Sequence, residues 1–268
     1  MQNVIDYITI ASPGNATDFG DLTGTRDALG ACSNASRGVF AGGSPGPVNN
    51  IEYITIGTAG NATDFGDRTE AKSGIAGTSG GGRGVFGGGS TSNVIDYITI
   101  TSPGNATDFG DLTVARQYLT ATSDGSRGIF TGGMPITDVI DYITISIPGN
   151  AIDFGNLHVG RQSPAACSDG SRAAVGGGTT SGPTYRDNID WFTIATTGNA
   201  VDFGNLTVAR SNFSSTSNGS RGIFSGGWTG STPAKNEIDY ITIGTTGNAT
   251  DFGDLTVGRY YQAACSGD

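Results

Sequence analysis

The sequence has very few of the side chains from which metal centres and catalytic triads are built. Its 268 residues include one histidine, His158, and three cysteines, Cys32, Cys167 and Cys265. One histidine cannot supply a multi-histidine copper or zinc centre, and the sequence contains no Cys-x-x-Cys motif. His158 stands where the equivalent segments carry threonine, which indicates an exposed turn. We therefore expect no catalytic residue, no metal site and no cofactor.

Positive charge is also scarce. Only 14 lysine and arginine residues oppose 24 aspartate and glutamate residues, which gives a net charge of −10. Proteins that bind nucleic acid need a basic surface to neutralise phosphates, so we expect no nucleic-acid partner. No apolar run reaches the length of a membrane span, so we expect no membrane insertion. No signal peptide is visible before the first repeat, and these features alone assign no compartment.

Glycine, in contrast, is abundant, with 46 residues and no Gly-x-y period, so it serves turns and close backbone contacts rather than a collagen helix. Many of these glycines belong to a repeat. Its anchor is the aromatic residue of the phrase Ile-Asp-Tyr-Ile-Thr-Ile and its variants, found at Tyr7, Tyr53, Tyr97, Tyr142, Trp191 and Tyr240, 44 to 49 residues apart. An Asp-Phe-Gly phrase and a basic residue follow each anchor. A period of this length is typical of one four-stranded propeller blade.

The repeats predict an all-β, six-bladed propeller of four-stranded antiparallel blades, as a single domain over residues 1–268. In the first full unit we place strand a at 28–32, strand b at 38–41, strand c at 51–56 and strand d at 62–67. The chain begins with strands c and d and ends with an a strand at 261–265, so we expect the termini to share the closing blade. That blade would lack strand b. We therefore expect either a longer repeat array or a partner strand that completes the blade.

The paired glycines after strand b and the aromatic residue in strand c resemble the kelch repeat over nearly the whole chain. One feature differs, because a phenylalanine 12 residues after the anchor, such as Phe65 after Tyr53, replaces the tryptophan usual in kelch repeats. The phrases Asp-Tyr-Ile-Thr-Ile and Gly-Asn-Ala-Thr-Asp-Phe-Gly-Asp-Leu are similar to repeats in virion structural proteins of marine tailed bacteriophages. These resemblances imply a kelch-like propeller that acts as an interaction module, on a virion or outside the cell.

The variable parts of the repeat are predicted to lie on one face. In an up-and-down meander the b–c and d–a connections emerge together, and the copies differ most in these connections. Loops on a rigid scaffold commonly carry recognition residues, and tyrosine, tryptophan and arginine make good contact surfaces. The candidate binding residues are Tyr118, Tyr185, Arg186, Trp228, Tyr260 and Tyr261. Tyr118 and Tyr261 also fit packing between blades.

Composition and repeats together predict a non-enzymatic binding or structural module whose partner is a protein or a cell-surface glycan. Two alternatives stay open. One is a glycan-acting enzyme, for which the variable loops offer few acids, Asp138, Asp187 and Glu237. The other is an intracellular kelch-type adaptor. The repeated Asn-x-x-Asp-x-x-Asp phrase offers oxygen ligands to calcium, but six similar copies favour hydrogen bonds at turns and strand ends. We expect the repeated arginines to form ion pairs and carbonyl contacts.

Overall fold

The structure, a computed structural model, describes residues 2–182 and 184–267. These residues form strands, turns and bends, and no helix occurs among them. β-branched and aromatic residues fill the repeated Tyr-Ile-Thr-Ile and Arg-Gly-Ile-Phe phrases, as strands prefer. Turn-forming Asn, Asp, Gly and Ser separate these phrases. The predicted all-β propeller fold is confirmed.

The strands group into one terminal hairpin, five blades and one small loop hairpin. The terminal hairpin holds β1 (Gln2–Tyr7) and β2 (Thr17–Arg26). Blade 1 holds β3 (Gly30–Ser33), β4 (Arg37–Ala41), β5 (Asn50–Thr55) and β6 (Thr63–Asp67), and blade 2 holds β7 (Ala76–Gly80), β8 (Arg83–Gly87), β9 (Val94–Thr99) and β10 (Thr107–Asp111). Blade 3 holds β11 (Thr120–Ser123), β12 (Arg127–Thr131), β13 (Val139–Thr144) and β14 (Ile152–Asn156). Blade 4 holds β15 (Ala165–Ser168), β16 (Arg172–Gly176), β19 (Asn188–Thr193) and β20 (Val201–Asn205), with the loop hairpin β17 (Thr179–Thr180) and β18 (Thr184–Tyr185) inserted between its second and third strands. Blade 5 holds β21 (Ser214–Ser217), β22 (Arg221–Gly227), β23 (Lys235–Thr242) and β24 (Thr250–Asp254).

Each blade is an antiparallel meander in which strands a, b, c and d pair in chain order. In blade 1 the observed strands begin and end within two residues of the predicted ones. The core lies between blades. One buried cluster, for example, packs Val85 and Ile95 of blade 2 against Phe130 and Ile143 of blade 3. Each blade therefore buries its apolar residues only when its neighbour is present.

The predicted number of six blades is wrong, because among the described residues only five blades form and the sixth copy is a two-stranded hairpin. Strand a, predicted at 261–265, does not form either: the residues after Arg259 adopt no regular strand. The physical reason is that strand a pairs only with strand b, as β3 pairs with β4 in blade 1. No strand b is present to pair with this segment in the part of the chain described.

A closed ring of backbone hydrogen bonds nevertheless joins all six copies around the axis; we call it the axial ring. In each copy the N–H of one residue donates to the carbonyl oxygen of the equivalent residue in a neighbouring copy. The donor and acceptor pairs are Ala28 to Tyr261, Gly74 to Ala28, Tyr118 to Gly74, Ser163 to Tyr118, Asn212 to Ser163 and Tyr261 to Asn212, at 2.7–3.2 Å. All six residues have left-handed φ angles, between 53° and 69°. Residues from the two ends of the described chain thus meet at Ala28 and Tyr261.

A second set of contacts joins neighbouring copies at the outer rim. In each copy the asparagine of the Gly-Asn-Ala phrase accepts, through Oδ1, a backbone N–H from strand d of the preceding copy. Asn105, for example, accepts the N–H of Asp67 at 3.0 Å, and Asn15 accepts the N–H of Asp254 at 3.1 Å. The repeated phrase therefore makes the strand-end hydrogen bonds expected of it.

Buried ion pairs form a third set of contacts. In blade 3, Arg116 Nη2 lies 2.9 Å from Asp141 Oδ2, and neither side chain is exposed to solvent. Burial lowers the pKa of Arg116 and raises the pKa of Asp141, because desolvation disfavours both charges. Arg116 also donates to the Phe130 carbonyl oxygen at 3.2 Å and so binds strand b. The equivalent pairs are Arg26 with Glu52, Arg161 with Asp190, Arg210 with Asp239 and Arg259 with Asp6.

The second copy forms its ion pair from a different position. Lys72 occupies the place of Arg116 in the repeat, but the partner of Asp96 is Arg68, at 3.1 Å. Lys72 is partly exposed and pairs instead with Glu70. The copy thus keeps a buried arginine beside its carboxylate although its repeated basic residue is a lysine.

This exchange supplies a matched test of the buried pair. We expect Arg116→Leu to lower the free energy of unfolding by about 3–5 kcal/mol, because Asp141 is left buried without its counter-charge. Lys72→Leu, at the equivalent position, is expected to cost less than about 1 kcal/mol, because its ion pair is exposed. Urea unfolding followed by circular dichroism measures both. Equal losses in the two variants would contradict the assignment of the pair to Arg116.

Candidate functional site

The two ends of the propeller axis differ in shape. At one end the first strands of the blades surround a cavity of about 500 Å³, lined by small residues that include Ala31, Gly77, Ala121 and Ala166. Turns between strands a and b border this opening, and four of the five repeat one geometry, whereas blade 2 turns at Gly81 and Gly82. Asp124 Oδ1, for example, accepts the N–H groups of Ser126 and Arg127 at 2.8 and 2.6 Å. At the other end, the face of the b–c and d–a loops, the copies differ in sequence.

On the variable face, four aromatic side chains form a continuous row. Tyr118 and Tyr261 have ring centroids 5.4 Å apart. Tyr261 contacts Tyr260 at 5.3 Å, and Tyr260 contacts Trp228 at 5.1 Å. We call these four residues the aromatic row. They come from three separate parts of the chain, so only the closed fold assembles them.

Tyr185 lies close to this row. A Cβ added to Gly230, two residues after Trp228, would stand 2.9 Å from Tyr185 Cε2, so the Tyr185 ring packs directly on the Trp228 loop. The Tyr185 hydroxyl also lies near enough to Tyr261 to influence its pKa. The structure therefore brings together five of the six residues that the sequence singled out.

Arg186 is the exception. Its backbone N–H donates to the Gly178 carbonyl oxygen at 2.9 Å. Its charge acts on Arg161, whose pKa is lowered by burial and further by Arg186. Among the described cation–π contacts of the protein, none joins Arg186 to the aromatic row. Arg186 is therefore partly buried and lies near Arg161, and no described contact joins it to the row.

The backbone holds the aromatic row in a fixed position. Tyr118 and Tyr261 belong to the axial ring, with φ angles of 53° and 57°. A left-handed φ costs a non-glycine residue about 1–2 kcal/mol, and such strain often marks functional positions. Trp228 is held by two backbone hydrogen bonds with Ser211, at 2.8 and 3.0 Å. Tyr260 is 43% exposed, and the other three rings are partly exposed, so the row is open to a ligand.

Polar residues that are not among the predicted binding residues border the row. Asp27, Gln117, Gln162 and Ser211 each precede a member of the axial ring in the chain, as Tyr260 does. Burial raises the pKa of Asp27, and the Asp27 carboxylate in turn contributes to the raised pKa of Tyr261. The signal that could have found these residues was their common place in the repeat, immediately before the ring position. Carboxylate and amide groups there can bond to ligand hydroxyls.

The residues considered for catalysis or metal binding do not assemble into a second site. His158 is exposed, and its backbone N–H donates to Asp190 Oδ2 at 3.3 Å. Four of the five threonines at the equivalent positions add a hydroxyl bond to the carboxylate, as Thr113 does to Asp141 at 2.6 Å, and Thr23 bonds to Glu52 through its backbone N–H only. Over residues 2–182 and 184–267, no three or more His, Cys, Asp or Glu side chains cluster in a way that could hold a metal ion.

The three cysteines pack between copies. Cys32 and Cys167 are buried, Cys265 is partly buried, and none forms a disulfide in the described chain. A Cβ added to Gly38 of strand b in blade 1 would stand 2.8 Å from Cys265 Sγ. Burial raises the pKa of Cys265 to about 12, which disfavours its reactive thiolate. The residues after Arg259 therefore occupy the place that strand a holds in a blade.

Comparison with known proteins adds no family to this description. No protein-family model matches the chain, and no curated protein matches it. Among the described residues, no helix has the length and apolar character to cross a membrane. The function is therefore argued from the geometry of the site.

The aromatic row should show a distinct pH response. Burial, with smaller effects from Tyr118 and Asp27, raises the pKa of Tyr261 from 10.0 to about 12. The folded protein thus holds this proton more tightly than the unfolded chain, so the resulting stability is present below pH 10.0 and is lost as the pH rises toward 12. We expect Tyr261→Phe to reduce this alkaline loss, measured by urea unfolding at several pH values beside a tyrosinate absorbance titration. An identical alkaline loss in both proteins would contradict the raised pKa.

Proposed function

We propose that this protein is a non-enzymatic binding module that recognises a carbohydrate through the aromatic row. The observation that carries the proposal is the contact of Tyr118, Tyr261, Tyr260 and Trp228 in one partly exposed row on the variable face. The faces of aromatic rings carry negative charge and their edges carry positive charge. The C–H groups on one face of a sugar ring are weakly positive, so they stack favourably on such rings.

The surroundings of the row favour a sugar over a charged ligand. Asp27, Gln117 and Gln162 place hydrogen-bonding groups near the rings, as sugar hydroxyls require. The chain carries a net charge of −10, so an anionic ligand would meet repulsion at long range. The row is also held by the axial ring before any ligand arrives, which limits the ordering cost of binding.

A position on a virion or outside the cell fits this role. The repeated phrases resemble those of virion structural proteins of marine tailed bacteriophages, and the glycans of a host surface are among the first molecules that a virion meets. The kelch-like resemblance supports the same general role, because such propellers present loops on a rigid scaffold. A virion-displayed glycan-binding propeller is therefore the form of the proposal that we favour.

The direct test is a glycan array probed with the whole chain, followed by calorimetry on each positive glycan. We expect Trp228→Ala and Tyr260→Ala to weaken binding about tenfold, because each removes a stacking face worth roughly 1–1.5 kcal/mol. Neither variant should change the melting temperature by more than a few degrees, because both residues are partly exposed. Tyr7→Ala is the control, since Tyr7 is 48% exposed and belongs to the terminal hairpin rather than to the row.

Four results would count against the proposal. An array without positive glycans would remove it, and so would binding that Trp228→Ala leaves unchanged. Binding of a protein partner that Trp228→Ala abolishes, with no glycan bound, would assign the row to protein recognition. A hydrolysis assay on the bound glycans, run beside the array, would favour the enzyme alternative if it released sugar.

A further inference from the structure

The incomplete sixth copy contains an open groove between blades 5 and 1. The groove has a volume of about 400 Å³. Strand β1 forms one wall, and the segment 261–267 forms another. Ile54 and Ile56 of blade 1 and Ile223 of blade 5 also line it. In the described chain β1 pairs only with β2, so its second edge faces this groove.

The five blades show what occupies the equivalent place. In each of them strand b lies between strands a and c. In blade 3, β12 pairs with β11 on one side and with β13 on the other. The five b strands read Arg-Gly-Val-Phe-Ala, Arg-Gly-Val-Phe-Gly, Arg-Gly-Ile-Phe-Thr, Arg-Ala-Ala-Val-Gly and Arg-Gly-Ile-Phe-Ser. The walls of the groove carry the residues that face strand b elsewhere: Ile5, Asp6, Tyr7 and Ile8 from strand c, and Ala263 to Cys265 in the place of strand a.

The strand c side chains that line the groove are more exposed than their counterparts in the five blades. The isoleucine of strand c is 0% exposed in all five blades, at Ile51, Ile95, Ile140, Ile189 and Ile238. Its counterpart in the groove, Ile5, is partly exposed. Tyr7 is 48% exposed, whereas its counterparts, such as Tyr142, are at most partly exposed. Covering these apolar side chains would be favourable, as it is in each blade.

The groove also offers the two contacts that the arginine of strand b makes. In each blade this arginine stacks on the strand c aromatic ring; Arg127, for example, lies 4.9 Å from the Tyr142 centroid. The same guanidinium donates to a carbonyl oxygen at the end of strand c in the next copy, as Arg37 does to Ile100 at 2.9 Å. In the groove, Tyr7 provides the ring and Ile56 provides the equivalent carbonyl oxygen. An incoming arginine would therefore meet both of its partners.

A partly buried arginine, Arg259, lines the groove at the place where its counterparts bind the backbone of strand b. In blades 3 and 5, Arg116 and Arg210 donate from Nη2 to the carbonyl oxygen of the strand b phenylalanine, both at 3.2 Å. Their counterpart Arg259 donates to Asp6 and to the Val4 carbonyl oxygen, and its side chain is 14% exposed. Its counterparts Arg116 and Arg210 are 0% exposed. Arg259 is thus more exposed than its counterparts, and its Nη2 donates to Asp6 and, at 3.3 Å, to Thr256 Oγ1.

We propose that this groove binds an extended peptide segment with the pattern Arg-Gly-(Ile or Val)-Phe followed by a small residue, as the strand b that the described residues of the sixth copy do not supply. The segment would enter as the missing strand b and pair with β1 by strand addition. Its arginine would stack on Tyr7, and its apolar side chains would cover Ile5 and Ile8. A partner polypeptide carrying this pattern would thereby attach to the propeller. Tyr260 and Tyr261 of the aromatic row also line the groove, whereas Trp228 and Tyr118 are not among its lining residues. Trp228→Ala therefore reports on glycan binding, and Tyr7→Ala on strand binding.

The test uses the whole chain and the peptide Ser-Arg-Gly-Ile-Phe-Thr-Gly-Gly, which has the sequence of residues 126–133. We expect saturable binding with one peptide per protein by fluorescence anisotropy, a higher melting temperature, and slower hydrogen exchange at the backbone amides of β1. A shuffled peptide should not bind. Replacing the peptide arginine by alanine should weaken binding about three- to tenfold or more, because the cation–π contact and the carbonyl hydrogen bond are both lost.

Two protein variants separate the groove from the rest of the fold. Tyr7→Ala should weaken peptide binding about three- to tenfold and leave glycan binding unchanged. Tyr53→Ala is the matched control, because the Tyr53 ring already stacks on Arg37 within blade 1. That variant should lower stability without changing peptide affinity. Trp228→Ala should leave peptide binding unchanged, so that failure of this proposal and failure of the glycan proposal are distinguishable.

Several results would overturn the proposal. No saturable binding would do so, as would equal binding of the shuffled peptide or an unchanged affinity in Tyr7→Ala. A dimer of the free protein in which the β1 amides are already protected and which excludes the peptide would assign the groove to a second copy of the chain. Peptide binding with protection at the aromatic row instead of β1 would place the peptide elsewhere.

Discussion

The closed ring of six backbone hydrogen bonds around the axis is the constraint on which the rest of the structure depends. It requires one residue in each copy to adopt a left-handed φ, and five of the six are not glycine. That conformation is unfavourable for a single residue, so it persists because the neighbouring copies hold it on both sides. The angular position of each copy follows from this ring, and so does the meeting of Tyr118 with Tyr261. The candidate site is thus a product of ring closure rather than of any one repeat.

The interactions that hold the propeller together change in kind with distance from the axis. Carbonyl and amide groups meet at the centre, buried arginine and carboxylate groups lie within each copy, and asparagine side chains bind backbone at the rim. Desolvation opposes the buried charges, as the lowered pKa of Arg116 and the raised pKa of Asp141 show. Such pairs contribute little net stability, but removing one partner is costly. They therefore act against misplaced strands, because a strand in the wrong register would leave a buried charge alone.

The sequence predicted the features that are repeated and missed those that depend on one copy. Strand positions in blade 1 followed from Tyr53 and the paired glycines, because period and burial are local signals. The number of blades did not follow, since a strand at 261–265 needs a hydrogen-bonding partner that the repeat count does not guarantee.

The lysine at position 72 matched the repeat, yet Arg68 forms the ion pair, and only packing distinguishes the two. The aromatic candidates were visible one by one, but Arg186 and Tyr185 are neighbours in sequence and lie in different surroundings. Their contacts depend on the conformation of this loop, and the repeat pattern of the sequence does not predict that conformation.

The arginine that begins each b strand reaches forward to the next copy, from Arg37 to Ile100 and finally from Arg221 to Ile10. In every case the arginine donates to the next copy around the axis, so all of these bonds run in the same direction. The terminal hairpin receives such a bond but sends none, and Ile56 in blade 1 is the carbonyl left without one among the described arginine contacts. The seam between the terminal hairpin and blade 1 therefore lacks, among the described residues, the arginine contact that joins the other neighbouring copies. A ligand that donated a hydrogen bond to the Ile56 carbonyl oxygen would complete this series of contacts around the axis.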